Sequence, residues 1–299
     1  GIALGKKLFY DPLLAADSVT SCASCHQQFA AFSTYDHPLS HGINNQFTKR
    51  NAPALQQLAW QKVFHADGGI NHLDVQFLSP LTNTNEMGAD LKNVINYLQN
   101  RDDYKQMFKK AFGSDEVTTQ KMGKALSQFL ITLVSSNSKY DRVMKGVDSF
   151  ILPEKLGYGI FLQKCANCHP EPFFTDFNFH NIGLPLDIYN IDEGKMVVTG
   201  KSADSLLFRT PSLRNVMVTA PYGHDGRFFS LYNVLQHYRK GVVKHASTDS
   251  LVQNGIPLSN YEIGQITAFL QTLTDSIFLT NPAFAENNRK ELMPFKHIH

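Results

Sequence analysis

Two pentads of the form Cys-x-x-Cys-His are the residues of this chain whose types and spacing are best suited to chemistry. They occupy residues 22–26 and 165–169, and together they use all four cysteines. Two thiols three residues apart can add across the two vinyl groups of one haem, and the adjacent His then lies beneath the iron as its proximal ligand. The spacing therefore predicts two covalently bound c-type haems. The haem-binding residues would be Cys22, Cys25, His26, Cys165, Cys168 and His169.

Two other uses of paired cysteines fit the sequence less well. A four-cysteine zinc ribbon would place its pairs closer together and would not need a His after each pair. A disulfide framework suits a short secreted domain, whereas this chain has 299 residues and 42% hydrophobic residues, an ordinary value for a protein that buries a core. Covalent haem is the interpretation that accounts for both histidines.

Composition and charge limit the partners and the compartment. A net charge of +2 without a basic stripe predicts neither a nucleic acid nor an anionic membrane as partner. No apolar run approaches the length of a membrane span. The sequence begins at Gly1 without a signal peptide, yet haem is attached to such pentads outside the bacterial cytoplasm. We therefore expect a periplasmic protein whose export signal has been removed.

Helical periodicity dominates the remaining sequence. Hydrophobic side chains recur at three- and four-residue intervals over residues 90–112 and 118–134, the pattern of an amphipathic helix. A further helix over residues 156–164 leads directly into the second pentad. No convincing strand pattern is present, so the sequence predicts a mainly α protein.

Cap residues and long loops complete the outline. Ser230 predicts the N-cap of one helix, and Ser259 with Glu262 predicts a capping box for a later one. The longest irregular stretches, residues 27–51 and 170–207, each follow a pentad, and long loops in compact domains are usually functional. Apart from the pentads, the two halves show no visible repeat.

Taken in order, six segments resemble the bacterial dihaem cytochrome c peroxidases and their relative MauG, which oxidises a protein precursor to make a tryptophan-derived quinone. The resemblance implies two cytochrome-c-like haem domains packed face to face, with a calcium ion between the haems. Residues 1–140 would form the N-terminal domain with the peroxidatic haem, and residues 141–299 the C-terminal domain with the electron-transfer haem and a C-terminal tail. The matching segments are residues 4–12, 21–26, 50–53, 86–88, 208–215 and 219–226.

For the first haem, the resemblance implies that His26 is the proximal ligand and that Gln76 and Glu86 lie on the peroxide side. A carboxylate there can take a proton from the near oxygen of peroxide and deliver it to the far one, so that water leaves. Gln76 would orient peroxide or a water molecule. The alternative is that Glu86 caps a loop or the helix start before Asp90. His41 lies where some peroxidases carry a second His that blocks this iron at rest, and its alternative is a solvent-exposed loop His.

For the second haem, the resemblance implies His169 as proximal ligand and Tyr238 as distal ligand. Peroxidases carry Met at that position and MauG carries Tyr. A phenolate favours ferric iron and lowers the potential. His237 is a rival ligand, and a further alternative is that Tyr238 merely ends a helix whose last turn is cationic. The calcium ligands would be the Asn51 side chain and the carbonyl groups of Thr219 and Pro221, completed by waters.

One position departs from the family pattern. Members usually carry a Trp between the haems ten residues before the distal Gln, and Ala66 stands there in this chain. The only Trp is Trp60, six residues earlier. Electron transfer between the haems would then be slower or would use another route, for which His65, Trp60 or an aromatic side chain of the Phe-rich second half are candidates.

These residues predict a dihaem peroxidase that reduces hydrogen peroxide with electrons from a small redox protein of the cytochrome c or cupredoxin type. A homodimer is the expected assembly. A MauG-like oxidase acting on a protein or organic substrate is the alternative, which Tyr238 favours and Ala66 disfavours. A third possibility is a dihaem electron carrier without catalysis, against which the pairing of Gln76 with Glu86 argues.

Overall fold

The protein is mainly helical, as the sequence predicts. The structure, a computed structural model, describes residues 1–286; residues 287–299, the end of the expected C-terminal tail, lie outside the described residues. The only strands within residues 1–286 are β1 (Phe179–His180) and β2 (Phe208–Arg209), which pair antiparallel. The α-helices are α1 (Ile2–Tyr10), α2 (Cys22–Cys25), α3 (Leu73–Gln76), α4 (Leu78–Thr82), α5 (Leu91–Gln99), α6 (Asp102–Phe112), α7 (Thr119–Leu130), α8 (Lys139–Met144), α9 (Leu152–Lys164), α10 (Met196–Thr199), α11 (Leu231–Gln236), α12 (Asn260–Gln271) and α13 (Ser276–Thr280).

The caps agree with the sequence, whereas one predicted helix is interrupted. Ser230 accepts a hydrogen bond at the start of α11, and Ser259 with Glu262 forms the capping box of α12. The periodic stretch over residues 90–112 is divided between α5 and α6, because Arg101 adopts an extended backbone with φ −107° and ψ 121°. Hydrophobic periodicity continued through this break, so it did not reveal the turn.

Two separate hydrophobic cores divide the molecule, and each holds one pentad. The first contains Leu8 and Phe129, and Cys22 packs against it. The second contains Phe161 and Phe269, and Cys165 packs against it. Burying a side chain of this size contributes about 1.5–3 kcal/mol relative to leaving it exposed. We call residues 1–133 the first unit and residues 140–273 the second unit, after the residues that form each core.

Each unit contains an equivalent pair of packed helices. Helix α1 crosses α7 in the first unit, and α9 crosses α12 in the second. A Cβ atom on Gly5 would lie 1.9 Å from the Ala125 carbonyl oxygen, and one on Gly157 would lie 1.9 Å from the Gln265 carbonyl oxygen. Glycine at these two positions therefore allows the helices of each pair to approach closely.

The turns that follow the pentads repeat as well. Gln57 and Asn215 both adopt a left-handed backbone, with φ of 62° and 58°, and each begins a short 3-10 helix. Their N–H groups donate to the carbonyl groups of Leu133 (3.0 Å) and Leu273 (3.1 Å) respectively. The structural repeat thus extends well beyond the pentads, although the sequences retain little of it.

Buried polar contacts join the two units. The Arg50 guanidinium of the first unit donates to both carboxylate oxygens of Asp192 in the second, at 2.5 and 2.9 Å, and also to Asp67 at 2.5 Å. The Asn215 amide donates to Gln56 Oε1 at 2.6 Å. Bidentate Arg–carboxylate contacts fix orientation as well as distance. These groups therefore hold the two units in one arrangement.

The end of the described chain returns to the first unit. Phe278 of α13 is 2% exposed and belongs to the first core, and Gln28 donates to the Asn281 carbonyl at 2.9 Å. None of the helices within residues 1–286 combines the length and the apolar character needed to cross a membrane.

Candidate functional site

A single helical turn presents the first pair of thiols. Helix α2 contains Cys22 and Cys25, and the Ser21 N–H donates to Ser24 Oγ at 3.0 Å. Residues three apart on a helix lie on one face, so both sulfur atoms can reach one macrocycle. Neither cysteine forms a disulfide. Burial raises the pKa of Cys22 to about 12, which does not suit a nucleophilic thiolate.

Both pentad histidines are oriented in the same way. His26 Nδ1 lies 2.8 Å from the Phe32 carbonyl oxygen, and His169 Nδ1 lies 2.9 Å from the Phe174 carbonyl oxygen. Because a carbonyl only accepts, each Nδ1 carries the proton and each Nε2 keeps its lone pair for a metal. Burial lowers the pKa of both imidazoles, which favours the neutral form that binds iron. The two sites therefore have the geometry of proximal haem ligands.

A cavity of about 920 Å³ adjoins the second pentad. Its walls near the pentad are largely apolar, as a haem pocket requires. Tyr238 lines this cavity, whereas the rival His237 donates from Nε2 to the Ile182 carbonyl at 2.9 Å. The residues lining it beside the thiols include Phe161, Cys165, Cys168, His169, Leu235, Tyr238, Ile266 and Leu270.

A short π-helix presents Tyr238. Residues His237–Gly241 continue α11 with π-helical turns, a feature that often marks functional sites because it changes which side chains face a cavity. Burial raises the pKa of the Tyr238 hydroxyl. The Tyr238 hydroxyl would therefore lose its proton only if a cation, such as a ferric iron, bound to its oxygen.

Arg209 marks where an anionic group would lie. It lines the cavity, and its only side-chain hydrogen bond within residues 1–286 runs from Nε to the His65 carbonyl at 3.4 Å. Desolvation lowers the pKa of Arg209 to about 10. A desolvated guanidinium without a carboxylate partner is costly, and Arg209 forms no ion pair within residues 1–286. Arg209 therefore fits a site for a carboxylate such as a haem propionate. The sequence alone did not indicate this role, because a single Arg in a two-residue strand carries no local signal for it.

Glu86 lies close to the first pentad. Its carboxylate accepts from Asn83 Nδ2 at 2.7 Å, and its charge raises the pKa of the Cys25 thiol, behind the larger effect of burial. Burial raises the pKa of Glu86 itself. The helix-capping alternative for Glu86 is wrong, because Asp90 is the N-cap of α5 and accepts from the Asn93 N–H at 2.9 Å. The loop-capping alternative stays open, since the bond from Asn83 lies within one turn.

Gln76 is held at the end of α3, which packs on α7. Its side-chain nitrogen lies 3.3 Å from His65 Nε2, and burial lowers the pKa of that imidazole. Gln76 and Glu86 share no hydrogen bond with each other in the part of the chain that the structure describes. Their common role on the peroxide side stays a prediction, and His65 joins them as a neighbour that the spacing of Gln76 and Glu86 did not include.

The loop of His41 lies against the first site, but its ring is at the surface. The His41 carbonyl lies 3.7 Å from Cys25 Sγ, while the exposed ring packs against His37 and Phe47, with centroids 4.7 and 4.5 Å away. Iron ligation by His41 would require the ring to turn inward, and it stays a prediction.

The predicted calcium ligands lie at the junction of the two units. Asn51, Thr219 and Pro221 all line the large cavity, and Asn51 Nδ2 donates to the Pro38 carbonyl at 2.9 Å, which leaves its Oδ1 available. Neither carbonyl accepts a hydrogen bond from residues 1–286. Oxygen donors of this kind suit a hard cation.

Carboxylate, imidazole and thiol side chains do not form a metal site within the described residues. Among residues 1–286, no three His, Cys, Asp or Glu side chains are grouped to hold a metal ion. The two cysteine pairs belong to different cores, so the zinc-ribbon alternative does not fit. A calcium ion would rest on the neutral oxygens alone.

The position that usually carries Trp in the family is held by a small side chain, Ala66. Ala66 lines the large cavity, and its carbonyl accepts from the Arg209 N–H at 2.8 Å. Trp60 instead packs on Phe173 of the second unit, with ring centroids 4.9 Å apart. The indole therefore lies at the boundary of the units and not at the usual family position.

Comparisons with known proteins agree with this geometry. A family model described as di-haem cytochrome c peroxidase matches residues 1–149. The methylamine utilization protein MauG of Methylophilus methylotrophus is 33% identical over 275 residues, which cover 90% of this chain and 81% of that protein. The cytochrome c551 peroxidase of Nitrosomonas europaea is 32% identical over 275 residues, 91% of this chain and 79% of its own length.

A solved structure extends the similarity to the fold. The crystal structure of a MauG-like protein associated with microbial copper homeostasis matches with a TM-score of 0.89 and 31% identity, covering 96% of this chain and 93% of that one. The fold is thus shared over nearly the whole length of both chains.

Proposed function

This chain belongs to the dihaem cytochrome c peroxidase and MauG family, and from that premise we propose how its two units divide the reduction of hydrogen peroxide to water. It is a haem-dependent peroxidase with a redox-protein partner, like the relatives it matches. When bound, the haem groups supply the redox chemistry. The residues of the chain supply ligands, proton transfer and access.

In the first unit, Glu86 is the acid–base group. It takes a proton from the near oxygen of peroxide and gives it to the far oxygen, while the amide of Gln76 holds peroxide in place. A carboxylic acid suits this exchange when its pKa is raised toward the operating pH. The observation that carries the proposal is the position of Glu86 beside the first pentad: its carbonyl accepts from the Ile43 N–H at 2.9 Å, and the His41 carbonyl of the same loop lies 3.7 Å from Cys25 Sγ. Burial raises the pKa of the Glu86 carboxyl group at this position. His26 would hold the iron of the first haem, and His41 would cover it at rest.

In the second unit, His169 and Tyr238 would hold the haem iron, and Arg209 would neutralise a propionate. Tyr238 is supported by its place in the cavity wall and by the engagement of His237 with the Ile182 carbonyl. A Tyr ligand would give this site a low reduction potential.

The remaining proposals concern the surroundings of the enzyme. Calcium bound by Asn51, Thr219 and Pro221 would stabilise the junction of the units. The donor would be a cytochrome c or a cupredoxin, the compartment the periplasm, and two copies would form a homodimer. Attachment of c-type haem outside the cytoplasm supports the compartment.

Tyr238 also favours the second candidate function, a MauG-like oxidation of a protein or organic substrate. Ala66 at the usual Trp position weighs against it, because the aromatic group between the haem sites is missing there.

Steady-state kinetics with a reduced small cytochrome test the proposal. A peroxidase should oxidise two donor molecules for each peroxide consumed, and its oxidised form should return quickly to rest. An oxidised form that persists after peroxide addition and turns over slowly with the donor would favour the MauG-like function. A protein that exchanges electrons but consumes no peroxide would be an electron carrier.

A further inference from the structure

Trp60 is an exposed aromatic side chain that nothing in the peroxide site uses. It is the only Trp of the chain, it ends the 3-10 helix Leu58–Trp60 of the first unit, and it is 45% exposed. One part of its ring contacts Phe173 of the second unit, at 4.9 Å between centroids and 39° between planes. The indole thus touches solvent on one side and the second unit on the other.

A short chain of contacts leads from Trp60 to the second proximal ligand. Phe173 is bonded to Phe174, whose carbonyl oxygen lies 2.9 Å from His169 Nδ1. The same carbonyl accepts from the Leu213 N–H at 3.2 Å, and the Phe173 carbonyl accepts from Ser212 Oγ at 2.6 Å. One ring contact, one peptide linkage and one hydrogen bond therefore join the surface indole to His169, and two further hydrogen bonds hold that path in place.

Exposure alone does not distinguish Trp60, because other aromatic side chains are more exposed. Tyr261 at the start of α12 is 65% exposed, but it makes no ring contact with any residue in the range 1–286. Trp60 differs in being both open to a partner and connected to the second haem site. A cleft of about 160 Å³ beside it, lined by Gln61, Lys62 and Asp176 among others, adds polar groups for contact with a partner.

We propose that Trp60 is the surface port through which a small one-electron redox protein docks and delivers electrons to the second haem. The proposal rests on the proposed function and specifies where its donor binds. Trp is the residue type most enriched among residues that dominate protein interfaces. Each docked donor is oxidised by one electron, which passes to the second haem and leaves Trp60 unchanged. Two such electrons and two protons from water convert one hydrogen peroxide into two waters.

Anaerobic stopped-flow reduction of the protein carrying both haems tests the port without peroxide. The donors are a reduced mono-haem cytochrome c and a reduced blue-copper protein, with dithionite as a small reductant that needs no docking surface. Trp60→Ala should slow reduction of the second haem by the protein donor that serves the wild type, and weaken its binding, each by about tenfold or more. Dithionite should reduce the variant at the wild-type rate. Trp60→Phe should retain most of the transfer, and the control Tyr261→Ala all of it.

Several results would overturn the proposal. The first is an unchanged rate of reduction of Trp60→Ala by the protein donors. The second is an equally slowed reduction by dithionite, which would indicate damage to the haem pocket. The third is failure of the wild type to accept electrons from either protein donor. The proposed function is tested separately. If the wild type accepts these electrons through Trp60 but consumes no peroxide, the docking role of Trp60 stands and the peroxidase function is wrong.

Discussion

Glu86 shows how a surface loop can prepare a carboxylate for proton transfer. The residue lies in the turn after α4, where its N–H donates to the Asn83 carbonyl at 2.9 Å and the Asn83 amide donates to its carboxylate at 2.7 Å. The Ile43 N–H of the His41 loop donates to the Glu86 carbonyl at 2.9 Å. Burial still raises the pKa of the carboxyl group, so it can give and take a proton closer to neutral pH.

Replacing Glu86 by Gln should reduce peroxide turnover by about a hundredfold or more, the usual scale for a general acid–base group. Glu86 must be ionised to accept the first proton, so wild-type turnover should also decline as the pH falls through its raised pKa. The Gln variant should lack that acidic limb. Steady-state rates across pH measure both effects, with the exposed Glu116→Gln as control. Unchanged turnover with intact haem content would return Glu86 to a structural role.

Tyr238 should control the spin state and the potential of the second haem. Tyr238→Phe removes the proposed oxygen ligand, so a low-spin ferric EPR signal should become high-spin, while His237→Gln should leave the signal low-spin. Tyr238→Met should raise the potential by on the order of a hundred millivolts or more, within the range that axial ligands span. A wild-type second haem titrating at the positive potential of a His–Met site would contradict this and would indicate that a nearby methionine, such as Met217 beside the second core, reaches the iron.

At the residue scale, local spacing predicts the chemistry of the pentads but does not predict which side chains surround them. The pentads specify thiols and proximal histidines because their spacing along the chain is the spacing the haem requires. Arg209 and His65 become part of the sites only through tertiary contacts, since their hydrogen bonds join residues 144 and 11 positions apart. The family resemblance suggested Glu86, Gln76 and Tyr238, and no local pattern could have done so.

At the scale of elements, the crossing of paired helices sets the frame of each unit. The Phe9 and Phe129 rings pack 5.4 Å apart across α1 and α7, and the Phe161 and Phe269 rings pack 5.0 Å apart across α9 and α12. Gly157 lies at the second crossing, against the Gln265 backbone. These helices also lead into the segments that carry the pentads or pack against them. The distance between the paired helices therefore determines where the haem sites lie.

Gly157→Ala should lower the free energy of unfolding, because the new methyl group would lie 1.9 Å from the Gln265 carbonyl oxygen. Overpacking of this kind typically costs about 1–3 kcal/mol. Gly159→Ala is the matched control on the same helix, with nothing within 4 Å of its Cβ, and it should stabilise the protein by about 0.5–1 kcal/mol. Urea unfolding of the haem-loaded variants measures both. Equal effects at the two positions would mean that the helices do not depend on the close approach.

Caps and periodicity predicted most of the long helices, because both are local properties of the chain. The break at Arg101 escaped prediction, since apolar residues keep their helical spacing on both sides of it. The left-handed turns at Gln57 and Asn215 also escaped, because neither is a glycine. These turns depend on backbone hydrogen bonds to Leu133 and Leu273, which are distant in sequence.

At the scale of the whole molecule, two copies of one haem-binding unit face each other across a polar junction. Arg50, Asp67 and Asp192 form its ionic contacts, and the backbone of Asn51 donates to the His224 carbonyl at 2.8 Å. The resemblance predicted this pairing. It did not indicate that α13 returns to the first core, which ties the end of the second half to the beginning of the chain.

Both haems should be covalently attached, one in each unit. Acid–acetone extraction of the denatured protein should leave both in the protein layer, because each would be held by thioether bonds to a Cys pair. The matched variants Cys22→Ala/Cys25→Ala and Cys165→Ala/Cys168→Ala should each retain one haem. Release of haem from the wild type into the organic layer would show that the corresponding pentad does not bind covalently.

An anaerobic titration of the fully reduced protein with hydrogen peroxide tests the central claim most directly. Peroxide reduction needs two electrons, and the two haems of one chain hold two, so oxidation of both should be complete at one peroxide per chain. Haem absorbance gives the extent of oxidation and a peroxide assay gives the amount consumed. Oxidation of a single haem, or no consumption of peroxide by protein that contains both haems, would contradict a peroxidase in which the two units act together.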